Sequence, residues 1–352
     1  VATLDILNLA VRRGDRRVLE DVTLNVADGE MVAIIGGSGS GKTTLLRAVA
    51  GLEHPDSGEV RIAGIVQDSS PSSRDVAMVF QESVLYPFMD VASNVAFPLD
   101  VRGVTKPEID ARVKAEGRAL GIDHLLHRNP NELSAGYKHL SQVARAMVRR
   151  PELFLMDEPL SGLDAGLRLK MRDELKMIQR GYGVTTLYVT NDPTEAMSMV
   201  DRAVVLEGGV VTQDASTEDL YHRPVDRRVA ELMGDLDVIP VTVESDAEGW
   251  WLVRDGLRLR AWAPALRPYV GRRIDMATRP EYLEPSESAD AVLHVTRVVF
   301  HGPYRLAAGE IAGAPTTIRT RYLMVRPGDA IPVRVARSIL LDATTGRTIV
   351  AA

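Results

Sequence analysis

The 352-residue chain contains no cysteine. Disulfides, thiolate metal sites and cysteine nucleophiles are therefore excluded, and the composition suits a cytosolic protein. No apolar run approaches the ~18 residues a bilayer-spanning helix needs, so any work at a membrane is expected to go through a partner. Residues 1–11 mix Asp5 and Asn8 into a strand-like stretch and lack a signal peptide's basic start and apolar core. Neither an internal repeat nor a low-complexity segment is visible. The formal net charge of −6 argues against a general nucleic-acid binder, and no nucleic acid is expected as a partner. What is present is ordinary for a globular protein: 45% hydrophobic and 26% charged residues, with length for two or three domains.

The most informative stretch is Gly36-Gly37-Ser38-Gly39-Ser40-Gly41-Lys42-Thr43, which fits the phosphate-loop pattern G-x-x-x-x-G-K-[ST]. Met31-Val32-Ala33-Ile34-Ile35 before it reads as a short buried strand, and the segment opening at Thr44 reads as a helix start. A strand feeding a glycine-rich turn that opens a helix aims several backbone N–H groups at one point, which makes an anion site. Glycines let the backbone approach phosphate oxygens and adopt positive φ. Lys42 is placed to reach the β- and γ-phosphates, and the Thr43 hydroxyl to ligate Mg²⁺. Residues Gly36 to Thr44 are thus the candidate triphosphate cradle. Downstream, Leu153-Phe154-Leu155-Met156-Asp157-Glu158 is an apolar strand ending in two carboxylates. After a phosphate loop, Asp157 is expected in the Mg²⁺ shell and Glu158 as the group that polarises an attacking water.

Residues 1–30 read as antiparallel strands, and the region 90–150 as helical, with a helix over 106–120 after Thr105 as N-cap. Strand and helix signals alternate again from 153 to 206, as a parallel sheet covered by helices requires. The texture changes around Gly234-Asp235. Beyond it lie short alternating strands at 238–243, 250–253, 257–263, 295–300 and 330–335, separated by turn signals, which reads as a small all-β domain. The expected organisation is an α/β phosphate-loop domain over 1–234, with an antiparallel β subdomain and a helical subdomain at about 90–150, followed by an all-β domain over 235–352.

Three further segments fall in order around the carboxylate pair: Gln81 after a strand, Leu133-Ser134-Ala135-Gly136-Tyr137 before an amphipathic helix, and Ser161-Gly162-Leu163-Asp164. Together these resemble the Q-loop, signature motif and D-loop of the ATP-binding subunits of ATP-binding-cassette (ABC) transporters. Residues 85–89, 94–99, 171–175 and 218–224 look like the subunits that power bacterial carbohydrate importers. Arg279-Pro280-Glu281 and Asp342-Ala343-Thr344-Thr345-Gly346 resemble those subunits' C-terminal oligonucleotide-binding-fold (OB-like) extension, the TOBE region. The resemblance implies an ATPase coupled to import of a carbohydrate or similar polar solute, with ATP and Mg²⁺ as cofactors. It adds Gln81 to the metal set of Thr43 and Asp157, and Asp164 and the switch position Asn191 to Glu158 as catalytic candidates. It also implies a second ATP-binding subunit, identical or different, whose γ-phosphate would meet Ser134, Ala135 and Gly136. Permease subunits would dock on residues 82–89 and the helical subdomain, and an extracytoplasmic solute-binding protein would act indirectly. The expected location is cytoplasmic, peripheral on the inner face of the cell membrane.

The chain departs from that family's pattern at four places: the signature motif, the pair just beyond it, the switch position and the residue before Gly14. Ala135 replaces a glycine and would be strained if its φ were positive, and Tyr137 replaces a glutamine. His139-Leu140 replaces a Gln-Arg pair. Asn191 replaces a histidine, so it can donate a hydrogen bond but cannot carry a proton. Arg13, before Gly14, stands where an aromatic usually stacks on adenine; a guanidinium can also stack. Losing one preorganised transition-state contact costs about 10²–10³ in rate. The sequence therefore predicts good MgATP binding with slow or partner-dependent hydrolysis, and leaves open a nucleotide-gated assembly subunit that hydrolyses little.

Overall fold

The computed structural model describes residues 2–68, 70–81, 85–321 and 323–351 and divides into two compact units, Val1–Thr217 and Glu218–Ala352. In chain order the first contains β1 (Leu4–Arg13), β2 (Arg16–Val26), β3 (Met31–Ile35), α1 (Lys42–Val49), β4 (Ser57–Ile62), β5 (Ile65–Val66) and β6 (Val76–Val79). Three helices follow, α2 (Val91–Asp100), α3 (Lys106–Ala119) and α4 (Ala135–Met147). The unit continues with β7 (Leu153–Asp157), α5 (Ala165–Tyr182), β8 (Thr185–Thr190), α6 (Pro193–Met199), β9 (Arg202–Glu207) and β10 (Val210–Ser216).

Two sheets result. Alternating burial along β1 and β2 places Leu4, Ile6, Leu9 and Val11 inside a four-stranded sheet of order β2-β1-β4-β5. The other sheet has the order β10-β9-β3-β8-β7-β6, parallel except for its edge strand β10. Strands covered on both faces read as near-continuous apolar runs, and β3, β7 and β8 are buried throughout, with Asp157 and three threonines of β8 as the polar exceptions. Because β3, β8, β7 and β6 are parallel neighbours, their C-terminal ends open along one edge, where ligands of open α/β sheets bind. The segments leaving those ends are the glycine-rich loop, Asn191, Asp157-Glu158 and Gln81.

The second unit opens with α7 (Thr217–His222), which begins at the boundary, and α8 (Arg227–Met233). Its strands are β11 (Asp237–Asp246), β12 (Gly249–Arg254), β13 (Leu257–Ala261), β14 (Arg273–Thr278), β15 (Leu283–Pro285), β16 (Ala291–Phe300), β17 (Arg305–Ile311), β18 (Ala314–Thr320), β19 (Ala330–Val335), β20 (Ile339–Leu341) and β21 (Thr348–Ala351). They form two antiparallel sheets, β13-β12-β11-β14-β20-β21 and β15-β19-β16-β17-β18, around one core that includes Val241, Leu252, Met276, Leu293, Ile318 and Val333. This is the all-β, OB-like architecture expected of the C-terminal region. Strand β13 ends at Ala261, short of the expected Ala263.

The sequence reading places a boundary after Gly234, whereas the compact units divide ahead of α7 and α8. Ala230 clusters with Ala277, Ile339 and Leu341. The fully buried Arg279 donates to the carbonyls of Tyr221 (3.2 Å), Ala230 (3.0 Å) and Asp235 (3.1 Å) and lies 4.0 Å from the Tyr221 ring centroid.

Candidate active site

The loop between β3 and α1 is shaped by its glycines. Gly41 sits at φ 107°, the left-handed region, as the residue that opens α1. No acidic side chain occupies the first turn of α1, so its amides face the loop without a competing anion. Lys42 is buried, and its Nζ donates to the carbonyls of Gly36 (2.9 Å) and Gly37 (2.8 Å). Burial lowers its pKa, an effect partly offset by the negative charges of Glu158 and Asp157.

At the end of β7, Asp157 Oδ1 accepts a hydrogen bond from Thr43 Oγ1 at 3.1 Å. Burial raises the Asp157 pKa, opposed by that bond and by Lys42 and Arg47. The two groups expected to serve one cation are therefore neighbours, and with Gln81 they offer hard oxygen donors. That set fits Mg²⁺, which takes one or two carboxylates and leaves the other positions to phosphate and water. Among the described residues no group of three or more His, Cys, Asp or Glu is arranged to hold a metal ion.

Glu158 is the best-anchored residue of the cleft. Its φ of 45° is unusual for a non-glycine residue and costs of order 1–3 kcal/mol. The surroundings enforce it: Glu158 N donates to Val189 O (2.9 Å), and its carbonyl accepts from Ser161 N (3.1 Å) and Ser161 Oγ (2.8 Å). Two amides flank the carboxylate, Gln81 Nε2 donating to Oε2 at 3.4 Å and Asn191 Nδ2 donating to Oε1. Asn191, on the turn after β8, thus meets Glu158 directly. That turn is fixed from beneath by buried Glu195, which accepts from Thr190 Oγ1 (2.7 Å) and Tyr188 OH (2.9 Å), while Asp192 N donates to Thr190 Oγ1 (3.0 Å).

A cleft of about 610 Å³ gathers Arg13, Ser38 to Thr44, Gln81, Glu158 and Asn191. Gly36 and Gly37 hold Lys42 from behind, and Asp157 holds Thr43. Arg16 and Val18 also line the cleft. Sequence reasoning missed both, along with Glu53 and Glu195; the one available signal was the basic run Arg12, Arg13, Arg16, Arg17. Arg13 is paired with Glu53, at 2.7 Å through Nη2 and 3.4 Å through Nε.

The signature residues and Asp164 do not line this cleft. Ser134 is the N-cap residue of α4, yet its side chain makes no capping bond. Ala135 is the first helical residue and has no positive φ, so the strain anticipated for its Cβ does not arise: at a helix start, alanine is well accommodated. Gly136 packs against α5, where an added Cβ would lie 2.9 Å from Leu167 Cδ1. Asp164 caps α5, accepting from Leu167 N at 3.0 Å.

Of the segment expected to meet membrane subunits, residues 82–84 lie outside the described residues. Residues 85–89 are tied down by buried Asn94, which accepts from Tyr86 N (2.7 Å) and donates to the carbonyls of Tyr86 and Met89 (both 3.1 Å) and of Asp90 (2.9 Å). Phe88 is left 77% exposed.

Residues 19–161 match the ABC transporter family. The chain is 40% identical to the sn-glycerol-3-phosphate import ATP-binding protein of Chromobacterium violaceum, over 99% of this chain and 96% of that protein. It is 39% identical to the protein of the same name from Cupriavidus metallidurans, over 96% and 95% of the two chains. For that of Chromohalobacter salexigens the identity is 42%, over 92% and 86%.

Proposed function

This chain belongs to the ABC transporter family and is the ATP-binding, energy-coupling subunit of an importer; from that premise we propose which of its residues perform each part of the work. Lys42 and the amides of residues 37–44 hold the triphosphate. Thr43, Asp157 and Gln81 hold Mg²⁺, which supplies charge neutralisation on the β- and γ-phosphates. Glu158 orients and polarises the attacking water, and the Gln81 and Asn191 amides keep its carboxylate aimed. Two ATP-binding subunits close face to face, so that Ser134, Ala135, Gly136 and Asp164 of each approach the other's nucleotide. The unspent Ser134 hydroxyl and the α4 amides meet the γ-phosphate there.

Import requires membrane permease partners. Their contact falls on residues 82–89 and on the helical subdomain of α2 to α4, at the inner face of the cell membrane. No described helix is long and apolar enough to cross a membrane. A solute-binding protein outside delivers a carbohydrate or similar polar solute. The relatives' solute, sn-glycerol 3-phosphate, belongs to that class and is the first to test.

The convergence of Lys42, the Thr43–Asp157 pair and the Gln81–Glu158–Asn191 cluster at the ends of four adjacent parallel strands supports this reading. Its test is a pair of variants. Lys42→Ala should weaken MgATP binding at least tenfold by calorimetry, since a preformed anion site loses its nearest cation. Glu158→Gln should retain binding, abolish hydrolysis and trap a closed dimer in MgATP, visible by size exclusion. Unchanged affinity in the first, or wild-type turnover in the second, rules out the corresponding role.

A further inference from the structure

Glu158 and Asn191 meet inside a closed circuit of contacts that also runs outside the cleft. After β7 the chain turns back at once, and Ser161 donates to the Glu158 carbonyl from its backbone N (3.1 Å) and its Oγ (2.8 Å). Three residues on, Asp164 caps α5 by accepting from Leu167 N at 3.0 Å. Arg168 lies one turn into that helix, its N–H bonded to the Asp164 carbonyl at 2.8 Å, and its side chain folds back over the cap. There Nη2 donates to Leu163 O at 2.9 Å, and Nη1 lies 4.0 Å from Asp192 Oδ2. Asp192 follows Asn191 directly, and its other carboxylate oxygen caps α6 by accepting from Thr194 N at 2.8 Å. The Asn191 bond to Glu158 Oε1 completes the circuit.

Arg168 does not line the cleft. Its Nε is buried without a hydrogen-bond partner, so the guanidinium is enclosed along that edge and works through its two terminal nitrogens. An ion pair with 39% of each side chain exposed adds little to stability. Direction is what the contact supplies, because a planar fork reaches two segments at fixed angles. We propose that Arg168 is a positioning residue for hydrolysis: it pins the backbone of residues 161–164 to the turn after β8 and so holds Asn191 aimed at Glu158. Those two segments leave different strands, and a misplacement of about 1 Å from outside the chemistry can cost on the order of 10²-fold. The inference rests on the roles proposed above for Glu158 and Asn191 and adds the residue that relates their two supports.

Steady-state hydrolysis by the full chain with its membrane partners tests it, using Arg168→Met, which keeps the aliphatic stem and removes every donor. The kcat should fall about tenfold, with KM and the calorimetric affinity for MgATP within about twofold of wild type. The urea midpoint should not move. In an Asn191→Ala background the same change should cost less than about twofold, since the group it aims is gone. Asp192→Asn keeps a capping oxygen for α6 but loses the charge; it should lower kcat similarly, and adding Arg168→Met to it should cost less than about twofold more. Wild-type kcat in Arg168→Met overturns the proposal. So do effects of Arg168→Met and Asn191→Ala that multiply, or a loss of kcat accompanied by a lower urea midpoint, since Arg168 would then act elsewhere or only support the fold. If Glu158→Gln and Asn191→Ala themselves leave turnover unchanged, the reading of the cleft fails instead.

Discussion

At Glu158, two amide donors occupy positions on a carboxylate that has room for about four hydrogen bonds, so acceptor capacity remains for a water. Gln81 and Asn191 orient the group without consuming it. A histidine at residue 191 could hold or release a proton near neutral pH; asparagine donates at any pH but cannot carry charge. Under the proposed assignment its task is positional: Asn191→Ala should lower kcat about 10–10²-fold with KM for MgATP nearly unchanged, because an interaction that shapes the transition state is lost. Asn191→His should raise turnover above wild type and add a pH dependence near the imidazole pKa. Steady-state kinetics with the membrane partners measures both, and an Asn191→Ala enzyme with wild-type kcat would remove the orienting role. Sequence alone could not supply this contact. The phosphate loop lies within eight consecutive residues and is legible, whereas Asn191 and Glu158 are separated by 33 positions, Gln81 and Glu158 by 77, and Arg13 and Glu53 by 40. Such pairs are fixed by which strands become neighbours.

Among the elements, α4 shows what periodicity reveals and what it hides. Leu140, Val143, Ala144 and Met147 were readable as one apolar face, and all are buried. His139 and Ser141 are buried too, and no hydrophobic pattern announces a polar residue inside. His139 has an unpartnered Nε2, and burial pushes its pKa down to about 4. The unfolded chain, with an ordinary histidine pKa near 6.5, takes up the proton first as pH falls. The stability that a neutral His139 supports is therefore complete above about pH 6.5 and is lost as pH falls toward 4. By pH 5 the loss should be about 2 kcal/mol relative to pH 7.5. Urea midpoints at the two pH values, compared between wild type and His139→Gln, check this; an equal acid loss in both would clear His139. The same contrast accounts for the strands. β11 and β16 alternate visibly, but β12 carries the unbroken apolar run Trp250 to Val253, β18 buries Thr316 and Thr320, and β20 is buried at all three positions, so none of these three carries an apolar–polar alternation to read.

For the molecule as a whole, the change of texture near Gly234 marked where β-strand composition begins, which differs from where a core begins. Composition is a property of consecutive residues; a core is a property of what they cover. Leu220, Val229, Ala230 and Met233 on α7 and α8 are buried, and the cluster holding Ala230 is otherwise made of residues from beyond Asp235. Arg279 adds bonds to the carbonyls of Tyr221 and Ala230 from the same side. A fragment ending after Gly234 would retain the two helices without those neighbours, whereas one ending after Thr217 would retain every strand of both sheets of the first unit and every residue lining the cleft. Exposed apolar clusters of this kind promote association, and autonomous fragments need intact cores. The fragment over 1–217 should therefore be monomeric by size exclusion and bind MgATP within about threefold of the full chain. The fragment over 1–234 should bind similarly but elute partly as higher assemblies, and replacing Leu220 and Met233 with polar residues should return it to monomer. A longer fragment that proved the better behaved of the two would assign α7 and α8 to the nucleotide-binding fold and restore the boundary after Gly234.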